Sequence, residues 1–230
     1  MTNNIIKNTI MKEKLKNIKG VVFDLDGLLL DTEYYQWQGW VPFLREHGIE
    51  LTKEMYLNYA EKRGDAIEDE MVKDFNLNIK KGEIINAKEE YLAERLKKEK
   101  VPLMPYAKEI VEFFYNHPDY KIAVCSGSPK AETLIKLENN GFKEYFDIVV
   151  CGDEVEKGKP NPDVYLKTVE VMGLKPEECI AFEDTQYGTM AAKSAGLICF
   201  SVPNEYCTKQ EYSMSDEVLN SLEDVMKYFK

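Results

Sequence analysis

An α/β fold is predicted, with a parallel sheet of five strands and a helical unit inserted into it. Three observations predict it: five short runs of β-branched and apolar residues, helix-spaced segments between the last four of them, and nearly 100 residues between the first run and the second. The runs cover residues 21–25, 121–125, 148–151, 179–182 and 197–202. Each is apolar on successive residues, as a strand covered on both faces must be. Helical spacing recurs around residues 130–139, 163–172 and 187–195, which gives the strand–helix alternation of a parallel sheet sheathed on both sides. A Rossmann-like core follows, assigned to residues 18–33 and 102–230.

No single crossover needs so long a connection as the first one. Residues 32–100 read as almost continuous helix, so residues 34–101 are expected to form a separate helical unit. Tyr34, Trp37, Val41 and Leu44 share one face of a helix that stops at Gly48, and Tyr91, Leu92 and Leu96 sit among charges in another. Pro102 and Pro105 mark the return to the core. Residues 1–17 break every apolar pair with Asn or Lys, so they are expected to be poorly ordered, and they lack the apolar stretch of a signal peptide.

Composition narrows the function. Lys and Arg number 30 against 41 Asp and Glu, and the net charge of −11 argues against a nucleic-acid partner. With 44% apolar and 31% charged residues the chain is neither disordered nor fibrous. No apolar run reaches membrane-span length, so no membrane partner is expected. Cys125, Cys151, Cys179, Cys199 and Cys207 are an odd set without a CxxC pair, which speaks against disulfides or zinc and for a reduced, cytoplasmic setting. A monomer is expected.

Polar residues collect where the strands end. Asp24 and Asp26 close the first strand in FDLDGLLLDTE, with Gly27 next; Ser126 and Gly127 follow the second in CSGS. Lys159 lies in GKPNPD after the third, and Glu183 and Asp184 end the fourth in FEDTQYG. Ligands bind beyond the carboxyl edges of parallel strands, so these four pieces should converge on one cleft. Singly, each has an ordinary reading: Asp24, Asp184 or Ser126 as a helix cap, Lys159 as a surface charge, Gly27 as a tight turn. Together and in this order they point to a phosphate site. His47 and His117 stand at helix ends and read as structural.

On these residues the chain resembles the haloacid dehalogenase superfamily of phosphotransferases, in its branch with a helical cap inserted after the first strand, over residues 18–205. DGLLLDTE, GKPNPDVY and FEDTQYGTMAAKSAG are similar to the beta-phosphoglucomutase-like phosphatases. Dehalogenating members lack the second aspartate, here Asp26, so the resemblance implies phosphoryl transfer to or from a small phosphorylated molecule such as a sugar or polyol phosphate. Asp24 would be the nucleophile, forming an aspartyl-phosphate. Asp26, projecting to the same side, would be the general acid/base. Mg²⁺ would be held by Asp24, Asp184 and the backbone carbonyl of Asp26, with Glu183 binding directly or through water. Lys159 would supply a fixed cation, while the Ser126 hydroxyl and the Gly127 N–H would hold a phosphoryl oxygen.

Two alternatives stay open: a sugar phosphomutase, and a non-catalytic phosphate-binding or phospho-signalling module. Beta-phosphoglucomutases carry a histidine where this chain has Gln36, and a cap arginine three residues beyond a glycine. If Gly64 is that glycine, Ile67 takes the arginine's place, with Lys62 and Arg63 nearby as substitutes. Thr32, Gln36, Lys62 and Arg63 are therefore the candidates for substrate specificity.

Overall fold

The computed structural model describes residues 2–60, 64–207 and 210–229. Helix α1 (Thr2–Leu15) leads into β1 (Gly20–Phe23), and α2 (Glu33–Glu46), α3 (Lys53–Tyr56), α4 (Gly64–Asp74) and α5 (Glu83–Lys98) intervene before the next strand. The alternation then runs α6 (Ala107–Tyr115), β2 (Lys121–Ser126), α7 (Lys130–Asn139), β3 (Ile148–Cys151), α8 (Asp163–Met172), β4 (Cys179–Glu183), α9 (Gln186–Ser194) and β5 (Ile198–Ser201). It closes with β6 (Glu217–Val218) and α10 (Met226–Phe229). The strands form one parallel sheet of six in the order β3-β2-β1-β4-β5-β6. The expected count of five is corrected by β6, a two-residue edge strand too short to leave any periodic signal.

Successive residues of β1 serve opposite faces, as the pleat requires. Val21 and Phe23 pack with Ile110 and Phe114 of α6, whereas Val22 joins Val164, Tyr165 and Val169 of α8. The Phe23 ring lies 5.4 Å from that of Phe182 and 6.1 Å from that of Phe114, so aromatic contacts fix this face of the central strand to β4 and α6. All four β1 residues are buried in consequence, and the run reads as continuously apolar.

Residues expected to be poorly ordered contribute to this core. From α1, Met11 and Leu15 are each 5% exposed and join Ile18 in the cluster of Phe23 and Phe114. Lys and Asn outnumber the apolar residues there, and only contact with the distant α6 and α10 side of the core reveals the buried stripe.

Helices α2 to α5 enclose an apolar cluster of their own, built on Trp40, Val41, Leu44, Met71 and Ile84. The expected face of α2 is rotated: Trp40 is buried, whereas Tyr34 is 48% exposed. The continuous helix expected over residues 32–100 is divided by turns after α2, α3 and α4. The two segments joining this unit to the core run side by side, with Asp31 N–H donating to Pro102 O at 2.8 Å and Met104 N–H to Leu29 O at 2.9 Å. A second tie is Tyr206, which follows β5 yet packs into the helical cluster, its ring 4.6 Å from Lys53 Nζ.

Candidate active site

Strand β1 ends where the sheet changes direction, between β2 and β4. Asp24 N–H still donates to Phe182 O at 3.0 Å, so the first residue beyond β1 remains in register with its neighbour. The chain then folds back in a tight loop, with Gly27 N–H donating to Leu30 O at 2.8 Å and Leu30 N–H to Leu25 O at 3.0 Å. Gly27 adopts φ +82, and a Cβ there would fall 2.1 Å from Asp184 Oδ2. Both conformation and space demand glycine. Gly188 is needed for space alone, since its Cβ would overlap the Glu183 carboxylate.

At the centre lies a buried ionic knot. Lys159 Nζ is 2.5 Å from Asp24 Oδ1, 2.5 Å from Glu183 Oε1 and 3.1 Å from Cys125 O. Tyr165 from α8 donates its hydroxyl to the same Glu183 oxygen at 2.5 Å. Burial pushes Asp24 up to about 8, with the charges of Glu183 and Asp26 adding to it and Lys159 opposing. Asp184 is raised well above the carboxylate range by burial and by the neighbouring Asp24 and Glu183. The same carboxylates raise Lys159 despite its desolvation, so it stays charged.

Asp26 has a separate set of partners. Its Oδ2 accepts from Ser128 Oγ at 2.9 Å and from Ser126 Oγ at 3.2 Å, and its Oδ1 accepts from Lys136 Nζ at 2.6 Å. Burial would raise this carboxyl, but Lys136, Ser128 and Thr32 outweigh it and hold Asp26 below its ordinary value. Thr32, expected to contact substrate, is 1% exposed.

The structure thus gathers Asp24, Asp26, Ser126, Lys159, Glu183 and Asp184 at one sheet edge. Gly127 lines a cavity of about 390 Å³ with Gly152, Gly158, Lys159 and Tyr187. Gln36 is half-buried on the first turn of α2, while Ile67 is 5% exposed inside the helical cluster. Lys62 and Arg63 lie outside the described residues.

Sequence reasoning missed Ser128, Lys136, Tyr165 and Asn204. Asn204 donates its carboxamide to Asp184 Oδ2 at 2.9 Å and to Gly27 O at 3.0 Å, and Tyr212 donates its hydroxyl to Asp184 O at 2.5 Å. Lys136 had a visible signal, a lysine on the stripe of Thr133 and Leu137 that α7 buries. Glu33 was also passed over: burial first, then the charge of Asp26, raises it to about 7, with Tyr56 donating to it at 3.3 Å.

Asp24, Glu183 and Asp184 offer carboxylate oxygens within 4.8 Å of one another, and all three are buried. One lysine serves these three carboxylates, and after burial their mutual repulsion adds to the upward shift of Asp24 and Asp184. A compact set of hard oxygen donors with excess negative charge fits a divalent cation.

Residues 21–202 match the family of haloacid dehalogenase-like hydrolases. Among curated relatives, the phosphorylated carbohydrates phosphatase of Thermotoga maritima is 32% identical over 188 residues, covering 78% of this chain and 82% of the relative. The fructose-1-phosphate phosphatase YqaB of Escherichia coli is 29% identical over 178 residues, covering 77% of this chain and 93% of the relative. The crystal structure of CbbY from Rhodobacter sphaeroides in complex with phosphate superposes with a TM-score of 0.76 at 23% identity, covering 89% of this chain and 94% of that one, a likeness of fold. Sequence match, fold and the carboxylate–lysine knot agree that this chain belongs to the haloacid dehalogenase-like hydrolase family.

Proposed function

We propose that this enzyme is a Mg²⁺-dependent phosphatase of small phosphomonoesters, a sugar or polyol phosphate, that works through an aspartyl-phosphate on Asp24. The observation that carries the reading is the pairing of two differently held carboxylates at the end of β1: Asp24 fixed 2.5 Å from Lys159, and Asp26 turned to the hydroxyls of Ser126 and Ser128. Asp24 sits beside the cation that would neutralise phosphoryl charge, and Asp26 beside the hydroxyls that would hold a phosphoryl oxygen, so the two carboxylates are placed for different roles. The names of the Thermotoga and Escherichia relatives support the substrate class.

Asp24 attacks phosphorus in line while Asp26 gives its proton to the departing alkoxide, so one hard displacement becomes two easier ones. Water then attacks the aspartyl-phosphate, and Asp26 takes its proton. Lys159 orients Asp24 and neutralises phosphoryl charge; Ser126 and the Gly127 N–H hold a phosphoryl oxygen. Asp24, Asp184 and the Asp26 carbonyl, with Glu183, would hold Mg²⁺, which when bound draws negative charge from the phosphate oxygens. Helices α2 to α5 act as a cap on residues 34–101 that hinges at the paired linkers and excludes water. The enzyme is read as a cytoplasmic monomer, in keeping with five unpaired, buried cysteines; among the described residues no helix is long and apolar enough to cross a membrane.

Phosphate release from a panel of phosphorylated sugars, polyols and nucleotides tests the substrate class, and no turnover of any phosphomonoester would refute the reading. A hexose 1-phosphate with a bisphosphate activator tests it against mutase chemistry. With Gln36 at the histidine's place and Ile67 in an apolar cluster, inorganic phosphate should be released faster than the 6-phosphate isomer forms. Faster isomer formation would assign the enzyme as a phosphomutase.

A further inference from the structure

We propose that Lys136 is a positioning residue for proton transfer, anchoring Asp26 Oδ1 so that Oδ2 is the oxygen that meets the leaving group. The inference rests on the phosphatase reading and deepens it.

Helix α7 turns Thr133, Lys136 and Leu137 toward the interior, and the Lys136 side chain is 1% exposed. A buried ammonium is expensive unless carboxylates surround it in good geometry. Two do: Asp26 Oδ1 at 2.6 Å and Glu132 Oε1 at 2.5 Å. Glu132 lies one helical turn before Lys136, so the ammonium is steered by its own helix and then reaches across to Asp26. Placing the anchor on a helix gives it a rigidity that a loop would lack.

The two oxygens of Asp26 are treated differently. Oδ1 meets the fixed ammonium, whereas Oδ2 meets the hydroxyls of Ser126 and Ser128, which can rotate to other acceptors. Because Ser126 is also the hydroxyl assigned to a phosphoryl oxygen, Oδ2 is the Asp26 oxygen nearest the reacting bond. The lysines divide the acids between them: Lys159 holds Asp24 and Glu183, Lys136 holds Asp26 and Glu132. Asp26 is ionised while both hydroxyls donate to it, so it takes a proton from solvent water as substrate draws the Ser126 hydroxyl from Oδ2 to a phosphoryl oxygen; when the bond from phosphorus to the leaving oxygen breaks, the electron pair stays on that oxygen and this proton moves to it. Lys136 keeps all its protons throughout.

The test compares two leaving groups through kcat/KM, which reports steps up to the departure of the leaving group. A sugar phosphate needs a proton for its alkoxide, whereas 4-nitrophenyl phosphate releases a stable anion. Lys136→Met should lower kcat/KM for the sugar phosphate about 10²-fold. For 4-nitrophenyl phosphate the fall should be less than about tenfold, and Lys136→Arg should restore most of the loss. Equal falls on both substrates would show a merely structural role and overturn the proposal, as would no fall on either. Should Lys136→Met fail to fold, Lys136→Gln, which keeps a hydrogen-bond donor, is judged by the same ratio. A wild type that hydrolyses neither ester defeats the phosphatase reading itself, a result distinct from an unchanged ratio in an active enzyme.

Discussion

Lys159 brings its ammonium to within 2.5 Å of Asp24 Oδ1 across 135 positions of sequence. The contact fixes the position of the nucleophile's carboxyl group, and it joins the loop after β3 to the end of β1. Asp24→Asn should therefore abolish phosphate release, by at least about 10³-fold, because a neutral amide is a poor nucleophile. Asp26→Asn should cost about 10²–10⁴-fold through loss of proton transfer. Steady-state assays of both variants check this, and near-normal turnover by Asp24→Asn would remove it as nucleophile.

Removing the cation should be felt in stability as well as rate. Lys159→Met leaves Asp24 and Glu183 buried without their shared partner, and breaking such a pair costs about 3–5 kcal/mol. Denaturant unfolding of the variant against the wild type measures the loss.

Asp24 and Asp184 are raised first by burial and then by the carboxylates beside them, so a bound divalent ion, which offsets that negative charge, should stabilise the fold. Mg²⁺ at 100 times its dissociation constant should add about 2.7 kcal/mol to unfolding, and the gain should grow as the pH rises and protons leave the carboxylates. Thermal melts with Mg²⁺ and with excess EDTA report this without an activity assay. Asp184→Asn should lose most of the response.

Glu33 gives a pH signature of opposite use. Burial raises it to about 7 from an ordinary 4.5, so between those values the unfolded chain has lost a proton that the folded chain keeps. Stability from this group falls as the pH rises through that window, and the penalty is complete above about 7. Glu33→Gln keeps an acceptor for Tyr56 and removes the penalty, a gain of about 1–3 kcal/mol at pH 8 and almost none near pH 4. Urea unfolding of both proteins at the two pH values would expose an error in this assignment if the difference were independent of pH.

The N-terminal helix offers a packing test. Leu15 is 5% exposed within the main core, so Leu15→Ala should cost about 2–5 kcal/mol, visible as a lowered melting temperature. A change within about 0.5 kcal/mol would mean that α1 does not pack there in solution.

Local pattern was enough to determine the strands and their alternation with helices. A strand buried on both faces must be apolar throughout, and α7 and α8 coincide with the periodic segments 130–139 and 163–172. The same rule placed Asp24, Asp26, Ser126, Lys159, Glu183 and Asp184 together, because a parallel sheet brings all its carboxyl ends to one edge. Packing decided the rest. Strand β6 exists only because β5 offers it an edge, and α1 is held by side chains far along the chain. Lys136 meets Asp26 across 110 positions, and Asn204 meets Gly27 across 177. No periodicity records such pairings: the sequence carries the residue types, but the approach of one element to another sets which of them share a carboxylate.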